Sequence, residues 1–507
     1  MANLSARVTG LLREIAFSAV FGANAGTDAW NAALRVPQLL RELLAEGSLQ
    51  NALVPGLARA RETQGEPGAW ALADAVLGAL LAVLAGVTLL FLLAAPWLAP
   101  LLAGGFSPEK IGATVTLTRW LSPCLAGLSL AALASGALHA RGRFLSPALA
   151  SNALNLVVLA GTLAARPLAR ATGVAPLTVL ALATTLSGFV NAGLLLPALR
   201  REGWRPRPHL RGHPRLAEMV RTLGPAIVGV ATVQVSLAIE TTWASGFGDG
   251  PLTWLTLAFR LVQLPLAVIA GTLATTALAA TSAAHARGDE DAAGAVAADT
   301  LRLLAAGVLP CAVILGVLAE PIVALCFERG AFDAAATAGT ARMLEAYAWA
   351  TWGICLHRVL VPMHVAAGRT RLAAALGVGA LALKVPVILL LTGPVGLGPE
   401  ALPLSHAVTA SLEAVGLLVP LRRALAGRGL IGAHARVAGA CAAMGAVAWA
   451  LEGRAHVLVA CAAAAVTYVG AARLLGVRWR DRGPPDGARG MRTAAEGGSE
   501  GPSAASR

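Results

Sequence analysis

Residues 70–102 run WALADAVLGALLAVLAGVTLLFLLAAPWLAPLL, with one ionisable side chain, Asp74, near the start. About 20 apolar residues at 1.5 Å rise already cross the ~30 Å hydrocarbon core of a bilayer, so the stretch reads as a spanning helix with length to spare. The pattern recurs at 111–138, 145–165, 174–199, 217–245, 252–283, 295–327, 338–366, 372–392, 401–421, 430–451 and 455–476. Two more polar segments, 4–22 and 27–58, come first. The reading is an all-α integral membrane protein with about 14 transmembrane helices.

Composition agrees. Of 507 residues, 57% are hydrophobic and 13% charged, against roughly a quarter charged in a soluble chain. Ala, Leu, Val and Gly dominate, and small residues let helices approach closely where lipid removes the hydrophobic drive for association. Among the 40 basic residues only Lys110 and Lys384 are lysines, a preference that reads in part as codon bias. The net charge of +13 is assigned to cytoplasmic loops, so no nucleic-acid partner is expected. The six cysteines stand alone in or beside apolar stretches, with no Cys/His spacing. Neither a metal site, a disulfide framework nor a cofactor is expected. Arg7 and Arg13 interrupt the first segment, so it does not read as a cleavable signal.

Loop charge sets the orientation. With the N-terminus inside, the inner loops hold Arg59 and Arg61, Arg141 and Arg143, six arginines between 200 and 215, Arg287, Arg369 and Arg371, then Arg422, Arg423 and Arg428. The outer loops hold Lys110, Arg166, Arg170, Arg329 and Arg454. This bias predicts both termini in the cytoplasm and an even helix count. Residues 477–507 turn to Gly, Pro, Arg and Ser and read as a disordered cytoplasmic tail.

Self-comparison aligns Ala33-Leu34-Arg35-Val36-Pro37-Gln38-Leu39 with Ala258-Phe259-Arg260-Leu261-Val262-Gln263-Leu264, an offset of 225 residues. The offset pairs the second helix with the eighth, hence two parallel six-helix lobes. Their expected bounds are 1–200 and 217–425, joined by a basic cytoplasmic linker at 201–216 and followed by two extra helices at 426–476. Lobes rocking about a central site are a transporter architecture.

Intramembrane charge marks that site. The first two segments hold Arg7, Arg13, Glu14, Asp28, Arg35, Arg41, Glu42 and Glu46; later come Glu240, Arg260, Glu345, Arg358, Lys384 and Glu413. Arg7 and Arg13 are six apart, as are Arg35 and Arg41, which offsets each pair by roughly 120° around its helix. They therefore face different surroundings, some of them a cavity. A cavity lined by arginines suits a phosphate-bearing ligand, because the guanidinium fork binds phosphate oxygens bidentately. The competing reading pairs these arginines with Asp28, Glu42 and Glu46, or lets them reach the surface. Lys384, mid-helix, has Glu240 and Glu413 as candidate partners, either as a structural pair or as part of an ion relay. His357 has no partner at helical spacing. With no Walker A and no GxSxG sequence, the chain does not read as an enzyme.

Several stretches resemble the MurJ/MviN family of lipid II flippases. They are Ser5-Ala6-Arg7-Val8-Thr9-Gly10 with Arg13-Glu14, Phe21-Gly22-Ala23, Thr27-Asp28-Ala29, Pro37-Gln38-Leu39-Leu40-Arg41, Ala45-Glu46-Gly47-Ser48 and Val54-Pro55. Further on come Leu223-Gly224-Pro225-Ala226-Ile227, Arg260-Leu261-Val262-Gln263-Leu264-Pro265 and Phe327-Glu328-Arg329-Gly330-Ala331-Phe332. The resemblance covers roughly 5–475 in order. It implies a fourteen-helix exporter-superfamily fold that carries undecaprenyl-pyrophosphate-linked disaccharide-pentapeptide across the cytoplasmic membrane. It also implies a lipid groove formed partly by the last two helices, and cell-wall synthesis proteins as candidate partners. By position it implies Arg7, Arg13, Arg41 and Arg260 as head-group ligands and Asp28 as a functional acid. Glu46, Arg35 and Gln263 are then candidate gate or cavity residues. Departures from the family pattern are a first helix that reads as short, Phe259 and Gln263 where some members carry acids, and Glu240 with Lys384.

Other readings are a flippase or exporter of another polyprenyl-linked oligosaccharide, an integral-membrane glycosyltransferase, and a scaffold without transport. The short outer loops, nearly free of acids, argue against the glycosyltransferase.

Overall fold

A computed structural model describes residues 2–44, 48–210, 216 and 231–477. All regular structure among them is helical. The chain begins with α1 (Ala2–Phe21), α2 (Ala25–Leu44) and α3 (Ser48–Leu102). There follow α4 (Pro108–Leu121), α5 (Cys124–His139), α6 (Leu145–Thr172), α7 (Pro176–Arg201) and α8 at 231–244. The second half holds α9 (Pro251–Pro265), α10 (Gly271–Ala286), α11 (Glu290–Val317), α12 (Ala319–Phe327), α13 (Ala334–Ala366), α14 (Thr370–Thr392) and α15 (Ala401–Leu418). After the short α16 (Arg422–Leu425) come α17 (Leu430–Leu451) and α18 (Val457–Leu474). Glu46, most of 211–230 and the tail from 478 lie outside the described residues.

Ten of the described helical segments are long and apolar enough to cross a membrane, so the chain is a multi-pass membrane protein. Absent from that set are α1, α2, α8, α12 and α13. For α8 only fourteen residues are described, and α12 has only nine. The other three are too polar, and for α1 and α2 the cavity described below supplies the reason.

Several expected helices are broken at identifiable points. The sequence predicts a loop between helices at 58 and 70. Instead α3 continues through it, with one non-helical residue, Gly65 (φ 71°, ψ −171°), at the corner. The corner is held from both sides by Glu66, which takes Arg61 at 2.8 Å and a bidentate contact from Arg141. Arg141 lies 4.3 Å over the Trp70 ring, Trp70 stacks on Trp204, and Trp204 Nε1 donates to Asp74 at 2.8 Å. The one charge of the opening stretch is thus hydrogen-bonded by neutral donors, Trp204 Nε1 and Arg207 N, at the end of its span. The 252–283 helix contains a π turn, Leu266–Ala270, directly after Pro265, as expected where a proline lacks its N–H donor. The 295–327 helix is two, α11 and α12, broken at Leu318.

The buried apolar side chains fall into groups. One joins α9, α11, α13 and α15 around Tyr347 and Phe327. Two others lie among α1 to α7, and a fourth attaches α17 and α18 to α11. Close approach rests on small residues. A Cβ on Gly127 of α5 would come within 2.5 Å of the Gly188 backbone on α7. This is the backbone contact that substitutes for hydrophobic drive in lipid.

The first group of helices meets the second at the end of the bundle where α1 gives way to α2. Ala331 N–H, in the loop before α13, donates to Ala19 O at 2.8 Å. Gly22 and Gly330, both at positive φ, make that approach possible: a Cβ on either would stand 2.3 Å from a carbonyl oxygen opposite.

Candidate substrate-binding cavity

Between the two groups lies a cavity of about 400 Å³ walled by α1, α2, α4 to α9 and α13. Arg13 comes from α1, Arg35 and Arg41 from α2, and Arg260 from α9. Arg260 is within electrostatic range of the other three. Facing them are Glu14, Glu42 and Glu240. The polar helices α1, α2, α8 and α13 all contribute to these walls. The charges Arg13, Glu14, Arg35, Arg41 and Glu42 of α1 and α2 are spent on the cavity rather than on lipid, which is why those two helices miss the composition of a simple span.

Glu14 is the centre of the charge pattern. Its Oε1 takes Arg13 Nη2 at 2.6 Å and stands 3.7 Å from Arg260 Nη2, so one carboxylate bridges arginines from the two halves of the chain. Arg13 also donates to Asn155 Oδ1 on α6 at 3.2 Å. Arg35 Nε donates to Thr241 Oγ1 on α8 at 3.0 Å, and Glu42 accepts from Gln234 Nε2, also on α8. Arg13, Arg35 and Arg260 are thus preset by neutral or acidic neighbours before any anion arrives, and a phosphate would compete with Glu14 for two guanidinium groups.

The 225-residue offset reappears in the walls. Trp30, Asn31, Leu34, Arg35 and Gln38 of α2 line the cavity, and so do Leu255, Thr256, Phe259, Arg260 and Gln263 of α9, each 225 positions further on. The two helices therefore present corresponding faces to one space.

The predicted residues divide accordingly. Arg13, Arg35, Arg41, Glu240, Arg260 and Gln263 line the cavity. Arg7 belongs to α1, with its side chain outside the described set, and Glu46 is not described. Asp28 stands apart, fully buried at the end of the bundle where the two halves meet. It accepts from Lys110 Nζ at 2.9 Å, Gly250 N at 2.7 Å, Thr253 N at 2.8 Å and Thr253 Oγ1 at 2.6 Å. Four donors leave this carboxylate no surface for a ligand. Lys110, which sequence assigns to an outer loop, is buried with it and also reaches Asp249 Oδ1 at 2.9 Å and Gly248 O at 3.1 Å. Its ammonium sits 4.0 Å from the Phe106 ring.

Lys384 does not line the cavity but reaches its wall from behind. Its Nζ lies 2.5 Å from Glu240 Oε1 and 2.5 Å from Ser236 Oγ, while His406 Nδ1 is 2.9 Å from the same Glu240 oxygen. Of its two candidate partners, then, Lys384 takes Glu240. Glu413 instead faces His357 at 3.0 Å, a partner the sequence did not offer that histidine. Lys110 and Asp249 are the other residues missed, and Glu14, named among the intramembrane charges, had been given no role. The lysines had a signal: a chain that elsewhere uses arginine keeps lysine at two positions, and both are buried against a carboxylate. A compact ammonium fits where several acceptors converge on one point.

Comparison with known proteins fits this architecture. A family profile described as "Lipid II flippase MurJ" matches residues 17–469. "Lipid II flippase MurJ" of Burkholderia cenocepacia is 33% identical over 436 residues, 83% of this chain and 82% of the relative. "Probable lipid II flippase MurJ" of Bdellovibrio bacteriovorus is 30% identical over 429 residues, 83% and 80% respectively. Among solved structures, "Lipid II flippase MurJ, inward closed conformation" superposes with a TM-score of 0.79 at 17% identity, covering 93% of this chain and 97% of that one. An inward-facing multidrug transporter of the MATE family, in the MOP superfamily, gives 0.68 at 15% identity, over 85% of this chain and 96% of its own. At those identities the superpositions establish the fold alone, and the family rests on the sequence matches. By profile and by relatives spanning most of its length, this chain belongs to the MurJ family of lipid II flippases.

Proposed function

We propose that the protein carries lipid II, the undecaprenyl-pyrophosphate-linked disaccharide-pentapeptide, from the inner to the outer leaflet of the cytoplasmic membrane by alternating access. The observation that carries this is the convergence of Arg13, Arg35, Arg41 and Arg260, drawn from both halves of the chain, on one cavity. Loop charge supports an orientation with both termini in the cytoplasm. The Asp28–Lys110–Thr253 contact then lies at the outer end, and the cavity is closed on that side. The lobes are 1–200 and 217–425, linked by 201–216, with the helices of 426–476 appended to hold the lipid chain against α11.

The pyrophosphate enters from the inner side and takes Arg13 and Arg260 from Glu14. Arginines of both lobes then bind one anion, which favours the arrangement that brings the lobes together at the inner end and frees the outer. At about 400 Å³ the cavity lies near the small end of ligand pockets, so admitting a disaccharide-pentapeptide requires the lobes to part. An interior-negative potential favours outward transfer of the head group by about 2.3 kcal/mol per charge per 100 mV. It also favours return of the emptied cationic cavity. Glu240 with Lys384 serves as a buried pair that fixes α8 to α14, rather than as an ion-coupling site.

Complementation tests the reading. In a bacterium depleted of its own lipid II flippase, the parent chain should restore growth, and Arg41→Ala and Arg260→Ala at equal expression should not. Rescue by all three would remove the arginine site. Failure of the inserted parent would point to another polyprenyl-linked oligosaccharide as cargo.

A further inference from the structure

A second cleft, about 580 Å³, opens at the opposite end of the bundle from Asp28. It is framed by the last turns of α10 and α13, the first turn of α11 and the α15–α16 junction. It shares no lining residue with the arginine cavity. Two polar atoms in its walls are buried and have no hydrogen-bond partner, Thr281 Oγ1 and His364 Nδ1. Both residues are almost wholly buried, at 3% and 1% exposure.

Neither orphan is what its surroundings would produce by default. Helical threonines here usually donate to a carbonyl one turn back, as Thr241, Thr256 and Thr300 do. Thr281 does not. His364 Nε2 lies 2.8 Å from Leu417 O; a carbonyl only accepts, so that nitrogen carries the proton and neutral Nδ1 is left as an acceptor. Leaving both atoms unmet would cost about 1–3 kcal/mol each. The cleft lining thus includes one hydroxyl and one bare acceptor, both without partners, which suits a ligand bearing hydroxyl groups.

The rim supplies charge. Arg369 and Arg423 are exposed there. The two acids of the lining, Glu290 and Asp291, are turned to solvent at 75% and 92% exposure. They engage His285 and Arg428 respectively. The arginine pair is left to face an incoming anion.

We propose that this cleft is a binding site for a hydroxylated phosphate ester. Its phosphate lies between Arg369 and Arg423, and its hydroxyls reach Thr281 Oγ1 and His364 Nδ1. Two sources present this chemistry at a membrane surface, the glycerol head group of an anionic phospholipid and a soluble polyol phosphate. The site is separate from the flipping cavity, and its ligand assignment does not depend on the substrate proposed above.

The test is native mass spectrometry of the full-length protein with dihexanoylphosphatidylglycerol, dihexanoylphosphatidylcholine and glycerol 3-phosphate as probes. The glycerol lipid should bind saturably and the choline lipid, which lacks both hydroxyls, should bind at least roughly tenfold more weakly, since one lost hydrogen bond of about 1.4 kcal/mol already produces that ratio. Glycerol 3-phosphate binding as tightly as the lipid would assign the soluble source, and absence of its binding the lipid source. Arg423→Gln, on the exposed rim, and Thr281→Val, nearly isosteric, should each weaken the preferred probe by a similar factor. Equal affinity for the two lipids overturns the proposal, as does an affinity unchanged in Arg423→Gln.

Discussion

Asp28 and Thr253 are hydrogen-bonded to each other through both the amide and the hydroxyl of Thr253, and they stand 225 positions apart, the offset that aligns α2 with α9. Equivalent residues of a two-fold repeat touch only at its axis. The axis therefore runs through this contact, with Arg35 and Arg260 on either side of the cavity beyond it. Two carboxylates at the axis would repel. The repeat avoids that by keeping the acid in one half and a donor in the other, and it adds Lys110 to neutralise the charge. Removing that charge leaves a buried ammonium with only the exposed Asp249 to answer it.

Asp28→Asn should accordingly loosen the closed end. Breaking a buried pair by losing one partner costs about 3–5 kcal/mol. A cysteine at Leu34, in a background without native cysteines, should react faster with a membrane-impermeant maleimide in Asp28→Asn than in the parent. The double variant Asp28→Asn with Lys110→Met should be less destabilised thermally than the sum of the singles. Unchanged labelling would refute the latch.

Glu14→Gln tests whether the bridging carboxylate competes with substrate. With Arg13 and Arg260 released, undecaprenyl pyrophosphate should bind roughly tenfold more tightly, the equivalent of about 1.4 kcal/mol. Turnover should fall, because the empty cavity would lose the counter-ion that lets its arginines face one another on return. Weaker binding in Glu14→Gln would mean that Glu14 positions the arginines rather than masks them.

Lys384→Met should be strongly destabilising, by about 3–5 kcal/mol, since Glu240 would keep a buried charge. Glu240→Gln with Lys384→Met should recover much of that loss in a thermal-unfolding cycle. If Glu240→Gln alone also changes the ion dependence of transport, the pair couples an ion and the structural assignment fails.

The arginine site was legible because a charge in an apolar run has few innocent explanations. Arg13, Arg35, Arg41 and Arg260 stand out in sequence and meet in space. Asp28 stood out equally, yet its surroundings come from loops 82 and 222 residues away, and no spacing rule reaches that far. Lys110 was counted as a solvated charge for a related reason: loop charge counts treat every basic residue as solvated, and this one is 5% exposed. Hydropathy marked the spans, but not the Gly65 corner or the Leu318 break. The break at Leu318 leaves no polar loop in the composition, whereas at Gly65 a polar stretch that reads as a loop is helical on both sides of one residue.

The same symmetry yields a prediction at two glycines. Gly330 precedes α13 and packs on the end of α1, where its Cβ would lie 2.3 Å from Ala19 O. Gly105, 225 positions earlier, precedes α4 and packs on the end of α8, where its Cβ would lie 2.7 Å from Gly246 Cα. Each half thus docks one loop on the first helix of the other half, tightened by Ala331 N–H to Ala19 O at 2.8 Å and Gly105 N–H to Ser245 Oγ at 3.0 Å. The obstruction in both places is backbone, which cannot rotate away, so Gly105→Ala and Gly330→Ala should each push this end of the bundle apart and speed labelling at the Leu34 cysteine. Gly330 also holds φ at +64°, a conformation that costs an alanine roughly 1–2 kcal/mol more. Its variant should therefore be the more open and the less stable of the two. The order is the discriminating readout: if Gly105→Ala opens the end as much as Gly330→Ala, contact alone governs closure, and if neither does, the Asp28 contact holds it without the loops.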